Sequence, residues 1–563
     1  SRIDLLRSDD KQALQAGSVI GRIFWAGPVY ELVPETNPDL RVLEERDFIR
    51  RRPTSSIAGE REFAIKHALT REVAYESLPK ARRPHLHARF ARWLERTGEG
   101  RDEDAALLAH HYAMAVTGQA VDIEWPGGAA ERRELASRAV HWLRRAAHLA
   151  IARSDVDDGL RLLHTAAELE TDDAARARLW REIGSTNVLK FDGEAFWKAM
   201  ERALELSDDH ELQAGVYSEL AFHTSTRGAM WKRRPDRQRV HDWIERATAL
   251  SDEGSADRAR ALIARARYDP ANNADAAAQA SELADRLGDP GLRAYAWQAR
   301  AGAALAKNDF GDALAWMRRQ LELIPTLTDL DSISLIYTHS VTTLELASEF
   351  DEARKIAHTE MELARRLTPH HRVHALSDLV DVERSVGRWH TIRELTSQAE
   401  RTVEENAATP CITDVFALLS CAIAALRVGA DQDARSLEQA AERRAMEGYE
   451  ETLEGLYVDI AIARGDLETV AQHIDRTRSL TIYDSPDALV AWLNGYIALG
   501  RRDEAAAFGQ EWFVPGGYVE PYALRAIGYG RRDASAIQQA AARFDAIGAP
   551  WHAEQTRQLL TQI

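Results

Sequence analysis

Residues Gly59 to Arg96 read GEREFAIKHALTREVAYESLPKARRPHLHARFARWLER. Glu62-Phe63-Ala64-Ile65-Lys66 alternates polar and apolar, the mark of a short half-buried strand, and from His67 the apolar period becomes that of a helix. Leu69, Val73, Ala74 and Leu78 share one face of that helix, with Arg71 and Glu72 on the other. Pro79 stops it, because proline supplies no N–H and disfavours helix at the residue before it. A second helix opens near Pro84, where proline is tolerated in a first turn, and Leu86, Phe90, Trp93 and Leu94 make its apolar stripe. Strand, helix, break and helix mark a hinge between two kinds of architecture.

Upstream, Asp9 to Val19 predicts a helix whose acidic start suits the positive end of the helix dipole. The segment Gly21 to Trp25 and Pro28 interrupt it, and Val29 to Val33 and Asp39 to Arg46 give two shorter helical pieces. Phe48 to Arg51 can pair with Glu62 to Lys66 as a hairpin across Pro53 to Gly59. Three helices and a two-stranded wing predict a winged-helix domain over residues 1–97, within the ordinary size of a small domain.

The run Phe63, His67, Leu69, Arg71-Glu72, Ala74-Tyr75, followed by the Arg-rich Leu78 to Arg83 and by Leu86-His87, resembles the end of the winged-helix domain of bacterial STAND signalling ATPases. Members of that group include ATPases fused to adenylate or guanylate cyclases and those related to maltose-regulator LuxR-type activators. The resemblance implies a nucleotide-binding domain before the winged helix and a tetratricopeptide-like sensor after it. Ile65-Lys66-His67-Ala68-Leu69 also resembles the Met-His-Asp motif of the wider class, keeping the histidine and carrying alanine where that motif has aspartate. The resemblance thus implies that His67 senses the β-phosphate of ADP held by the absent ATPase domain. ATP or ADP with Mg is implied for the intact protein only, and no cofactor is expected for this chain.

After Thr97 the pattern changes to paired amphipathic helices, the unit of a helical solenoid. A recurring punctuation of a small or polar turn, an acidic residue and an alanine entering the next helix appears at Asn308 to Ala313 and Ser348 to Ala353. It recurs more loosely at Val386 to Trp389, Gly429 to Ala434, Arg464 to Leu467, Gly500 to Ala505 and Gly530 to Ala534. The step is roughly 30 to 42 residues, bracketing the tetratricopeptide value of about 34. The expected fold is all-α: a tetratricopeptide-like α-solenoid superhelix over residues 98–563 with a small N-terminal winged-helix module.

With 563 residues the chain is too long for one ordinary core. A hydrophobic content of 45% with 29% charge describes a folded protein, and 17 prolines are few for a chain rich in alanine, leucine, arginine and glutamate. The net charge of −17 argues against a general affinity for nucleic acid, which needs a concentrated positive field. Lys80, Arg82, Arg83, Arg89, Arg92 and Arg96 form a local basic patch, read first as a solvated face or a dock for an acidic neighbour within the chain. Arg50, Arg51 and Arg52 on the wing are where a DNA reader would want them, but the resemblance implies a lid on the nucleotide domain. Cys411 and Cys421 have neither zinc nor disulfide spacing and read as core residues of a reducing compartment. No apolar run approaches the ~20 residues of a membrane span, and no signal peptide stands at Ser1. The chain is therefore expected to be cytoplasmic and a fragment of something larger.

Motifs for chemistry are missing: there is no phosphate loop, no Gly-x-Gly-x-x-Gly, no Gly-x-Ser-x-Gly elbow and no His-Glu-x-x-His helix, so no enzymatic activity is expected. His358, His370, His371 and His374 gather near Pro369, but a cluster straddling a turn reads as solvated, and no metal site is expected. Of the 14 tryptophans, Trp142, Trp180, Trp243, Trp297 and Trp316 have apolar neighbours at helical spacing and read as packing residues. Trp231, beside Lys232, Arg233 and Arg234 in the long loop expected from Thr224 to Pro235, lacks them. These four are the candidate partner-binding residues, Trp and Arg being favoured at binding hot spots. The expected partners are the upstream nucleotide-binding domain and a protein, peptide or small inducer in the groove of the superhelix. Two alternatives stand beside this reading: a region of a DNA-associated transcription regulator, and a free-standing adaptor scaffold.

Overall fold

The structure, a computed structural model, describes residues 2–98, 101–117, 125–475 and 486–562. It divides into two compact units, residues 1–190 with 198–208 and residues 191–197 with 209–563. Both are built from helices, and the chain is an all-α, tetratricopeptide-like solenoid.

The first unit opens with α1 (Ser8–Ile20), β1 (Ile23–Trp25), α2 (Ala26–Leu32), α3 (Leu40–Glu45), β2 (Ile49–Arg51), β3 (Glu62–Ile65), α4 (Ala68–Glu76) and α5 (Arg82–Thr97). The expected hairpin forms: β2 pairs antiparallel with β3, Ile49 opposite Ile65. The expected two-stranded wing is in fact one edge of a three-stranded sheet in the order β1-β3-β2. Ile23-Phe24-Trp25, read as an interruption, is the third strand, with Phe24 opposite Phe63. Three residues are too few to display an alternating pattern. What makes them a strand is β3, about 40 residues later, and the rings they bury. Phe24 stacks on Phe63 at 5.7 Å, and Trp25 packs on Phe90 and Trp93 of α5 at 6.4 and 6.3 Å.

The α5 stripe is buried as expected, and so are Ala74 and Leu78 of α4, but Leu69 is 69% exposed. The first turn of α4 therefore carries an uncovered leucine next to the exposed His67. Half of the basic patch is spent within the chain. Arg92 pairs with Glu131 at 2.9 Å, Arg96 with Glu31 at 2.5 Å, and Arg83 donates to the carbonyls of Leu78 and Glu76. One carboxylate then ties α5 to two later helices: Glu95 accepts from Tyr112 of Ala105–Val116 at 2.5 Å and from Arg138 and Trp142 of Gly128–Ala152 at 2.5 and 3.1 Å. Burial works against its charge, yet these donors hold the Glu95 carboxyl below its usual range. The apolar core of this unit runs without a break from Ile3 through Ala167 and on to Ile183 and Ala199, so residues on either side of position 97 share it.

In the second unit helices alternate in two roles. The A helices are His210–Thr226, Ala256–Tyr268, Pro290–Ala306, Leu330–Leu346, Pro369–Ser385, Ile412–Arg427, Glu450–Arg464, Pro486–Ala498 and Glu520–Arg531. Each packs on the B helix that follows it, and each before Glu520–Arg531 packs on the next A helix as well. An A helix is thus covered on two sides: in Ile412–Arg427 residues from Val415 to Ala425 are nearly all buried, whereas Asp431–Glu442 buries only Ala434, Leu437 and Ala441.

All seven punctuation marks are one backbone device. A residue of positive φ (Asn308, Ser348, Gly387, Gly429, Gly465, Gly500 or Arg532) ends the A helix. The next N–H bonds back five residues: Asp309 to Ala304, Glu349 to Leu344, Arg388 to Glu383, Ala430 to Ala425, Asp466 to Ala461, Arg501 to Tyr496 and Asp533 to Gly528. This is the Schellman closure, which satisfies carbonyls the helix end leaves free. Where aspartate directly follows the positive-φ residue it caps the B helix, Asp309 accepting from the Asp312 N–H at 3.0 Å and Asp466 from the Thr469 N–H at 3.1 Å. The alanines that follow, Ala313, Ala353, Ala434 and Ala505, are fully buried at the helix crossings.

Two substitutions test this account in opposite directions. A Cβ at Gly509 would stand 2.8 Å from the Ala523 carbonyl oxygen, which cannot move without its helix. Gly509→Ala should lower the thermal midpoint, because overpacking of about 1–3 kcal/mol exceeds the gain in helix propensity of roughly 0.5–1 kcal/mol. Ser348 sits at φ 63 and its buried hydroxyl has no hydrogen-bond partner among the described residues. Ser348→Gly should raise the midpoint, by up to about 1 kcal/mol of stability.

Candidate functional site

The loop chosen from the sequence as a partner anchor is turned inward. Trp231 is 1% exposed, packed against Phe196 and Trp197 with ring centroids at 6.5 and 6.2 Å. Its carbonyl accepts a hydrogen bond from Tyr449 Oη at 3.0 Å. Trp231 therefore cannot reach a partner; its hydrophobic neighbours come from another helix and not from its own local sequence. Arg233 pairs with Glu447 at 3.2 Å and Arg234 lies over the Tyr449 ring, so these two hold the same loop down, while Lys232 is exposed. His67 is exposed at the entry to α4, with its carbonyl accepting from Thr70 and Arg71.

What the second unit offers a ligand is interior. One half-open cavity of about 190 Å³ lies along successive A helices and is lined by three arginines, Arg384, Arg427 and Arg525, and by Asp459 and Asp487. Arg384 is committed, to Asp487 at 2.9 Å and Asp381 at 3.4 Å. Arg427 lies 3.8 Å from Asp459 and rests against the rings of Trp551 and Trp389 at 5.2 and 5.9 Å. Arg525 bonds to the Asn494 side chain and lies over the Tyr522 and Phe544 rings. Nε of Arg427, Nε of Arg525 and Oδ1 of Asp459 have no hydrogen-bond partner among the described residues. Burial lowers the Arg525 guanidinium to about 10 and raises the Asp459 carboxyl. His552, 3.4 Å from Tyr522 Oη, is held well below its ordinary pKa by burial and then by Arg525 and Arg427, and stands neutral.

The sequence did carry a signal for these arginines. Arg384 and Arg427 each stand shortly before a turn glycine, in Arg384-Ser385-Val386-Gly387 and Arg427-Val428-Gly429, so the repeat puts both at the same end of consecutive A helices. Trp389 and Trp551 form its aromatic wall.

A second cavity, of about 220 Å³, lies among the A helices earlier in this unit. His370, His371 and His374 line it; His358 is exposed and apart. The expectation that this cluster is solvated is overturned: His370 and His371 are 4% and 8% exposed, because Pro369 starts an A helix and directs them inward. His371 Nε2 is 2.9 Å from Asp331, which Arg227 also clamps, and its Nδ1 is 2.8 Å from Thr368 Oγ1. The His370 ring stacks on Phe191 at 3.8 Å. His374 Nε2 lies 3.2 Å from Thr413 Oγ1 and 3.6 Å from Cys411 Sγ. Both cysteines are buried and unbridged. Behind the cavity wall, Glu360 accepts from Ser334 and Thr338 at 3.2 and 2.8 Å and meets Asp378. Burial pushes both carboxyls up, Glu360 to about 7, and the pair shares a proton at neutral pH.

No protein-family profile and no curated protein sequence matches the chain. Solved structures do. A signal transduction ATPase with numerous domains (STAND) protein with a tetratricopeptide repeat sensor from Pyrococcus horikoshii is 12% identical, with 78% of this chain and 63% of that one covered and a TM-score of 0.42. Yeast Tom70 is 13% identical, with 76% and 96% covered and a TM-score of 0.30. The Cut9–Hcn1 structure of the APC/C is 13% identical, with 87% and 97% covered and a TM-score of 0.31.

The shared proton gives a pH test. The folded state keeps it where the unfolded chain, with ordinary carboxyls, releases it, so this contribution to stability is present below the ordinary carboxylate pKa and falls as pH rises toward about 7. The fall from about pH 5 to about pH 8 should be on the order of 1–3 kcal/mol. In Glu360→Gln the amide can donate to Asp378 permanently, and thermal melts across that range should show a shallower slope, the remainder coming from the burial of Asp378 itself.

Proposed function

We propose that this chain is the regulatory region of a multidomain signalling ATPase, and that its repeat array binds a small organic anion inside the arginine-lined cavity. The observation that carries the binding reading is the charge and hydrogen-bond balance there. Arg384 is matched by Asp381 and Asp487, whereas Arg427 and Arg525 share Asp459 alone, and donors on these two have no partner among the described residues. A buried charge without a counter-charge is costly, and guanidinium pairs strongly with carboxylate or phosphate. The aromatic walls suit a planar body attached to the anion. About 190 Å³ is below the roughly 300–1,000 Å³ of ordinary ligand pockets, which favours a small molecule over a peptide.

Attachment to an ATPase is supported by residues 2–98. Their order of helix, strand, two helices and two strands, with β3 between β1 and β2, is the arrangement a winged helix calls for. His67 and Leu69 leave the start of α4 bare, where a preceding nucleotide-binding domain would dock. Ligand capture in the cavity would bias that domain between its ADP and ATP states, in the cytoplasm. A DNA-contacting module is the second reading, favoured by the exposed Arg50 and Arg51 on β2; salt-dependent duplex binding by the full chain would support it, and its absence would remove it.

Calorimetric titration with a panel of small aromatic carboxylates and phosphates tests the cavity. At least one should bind, and Arg427→Met should weaken it by about tenfold or more, the loss of a charged hydrogen bond of roughly 1.5–3 kcal/mol. Affinity indifferent to Arg427 would sink the reading. In the ATPase-containing protein, His67→Ala should speed ADP release while leaving the fold intact, measured by exchange of a fluorescent nucleotide; unchanged release would remove that role.

A further inference from the structure

His370 and His374 stand one helical turn apart on Pro369–Ser385, so their side chains share a face. Cys411 is the N-cap residue of the next A helix, Ile412–Arg427. Packing of the two A helices brings one ring nitrogen from each histidine and the sulfur of Cys411 within 4.8 Å of one another. Zinc bonds of about 2.3 Å to sulfur and 2.0–2.1 Å to nitrogen at a tetrahedral angle place S and N about 3.5 Å apart. His374 Nε2 and Cys411 Sγ are already 3.6 Å apart.

The outer contacts also suit a ligand set. His370 Nδ1 is 3.3 Å from the Thr409 carbonyl, which turns Nε2 toward the cluster and fixes the tautomer, as outer-shell acceptors do for metal-bound imidazole. Phe191 stacked on the same ring holds its plane. Burial and then the nearby Asp414 push the Cys411 thiol up to about 12, so it is the ion that would draw the proton off. The other histidine cluster, His87, His110 and His111, differs on this point. His87 bonds His111 Nδ1 through Nδ1 at 2.8 Å and Tyr75 Oη through Nε2 at 3.1 Å, so both its nitrogens are used.

We propose that His370, His374 and Cys411 form a Zn²⁺ site with three protein ligands, its fourth position open to the 220 Å³ cavity that both histidines line. Two imidazoles with one thiolate select zinc over the hard cations magnesium and calcium. Binding removes the Cys411 thiol proton to solvent, one per ion, as sulfur becomes a thiolate ligand. His374 exchanges its contact with Thr413 Oγ1 for the metal. The open position would take water or a donor atom of a molecule in the cavity.

The full chain, stripped with a chelator under reducing conditions, is titrated with Co²⁺ as the probe. The expected result is one ion per chain, with tetrahedral ligand-field absorption and a thiolate-to-cobalt charge-transfer band, both bleached by equimolar Zn²⁺. Cys411→Ser should abolish the charge-transfer band, Cys421→Ala should retain it, and His374→Gln should weaken Co²⁺ binding by about tenfold or more. A wild-type spectrum without the charge-transfer band overturns the proposal, as does a band that survives Cys411→Ser. Should circular dichroism show that Cys411→Ser does not fold, His370→Gln decides: loss of the stoichiometric ion supports the site, and unchanged affinity overturns it.

Discussion

One backbone closure recurs through the second unit and the rest of that unit depends on it. At the ends of the A helices from Pro290–Ala306 onward a residue enters the left-handed region, and the next N–H returns to the carbonyl five residues back. This satisfies the helix end, reverses the chain tightly and sets a capping residue at the start of the B helix. Because the turn is short, the B helix must lie against its own A helix, and because neither helix alone buries its apolar face, the next pair stacks on it. Glycine is the low-strain residue at these positions, and Asn308, Ser348 and Arg532 hold the same conformation at a cost the surrounding packing sustains.

The chemistry of the interior follows from that geometry. A helices flanked on two sides bury nearly every position, including ones where the sequence places arginine, aspartate, glutamate and histidine. Such groups are retained only when paired, protonated or engaged by a ligand. The second unit uses all of these. Arg384 is paired twice, Glu360 and Asp378 share a proton, and Arg427, Arg525 and Asp459 keep bonding capacity open toward a cavity. The first unit is ordered differently: sheet and helices lock through Trp25 and Glu95, and polar groups mainly pin elements together.

The contrast between Trp231 and the arginines shows where sequence reasoning stops. Trp231 looked free because it lacks apolar neighbours at helical spacing; it is buried because Phe196 and Trp197, distant in the chain, close on it. Arg384 and Arg427 carried a legible signal, the same place relative to a turn glycine, but only the stacking of A helices makes them face one cavity. The histidines were noticed and misplaced, since a proline before them marks a turn or a helix start equally well, and the neighbouring helix decides which.

The amino-acid sequence by itself determined the helices, one hairpin and the repeat. Apolar period, proline breaks and left-handed turn residues are local, each acting within about one turn of the chain, so the helices, the β2–β3 hairpin and all seven Schellman turns could be read directly. The third strand of the sheet, the burial of Trp231, the exposure of Leu69 and the gathering of arginines and of His370, His374 and Cys411 were decided by the tertiary structure. Each depends on which surfaces meet across tens to hundreds of residues, and pairing at that distance leaves no periodic trace in the residues on either side.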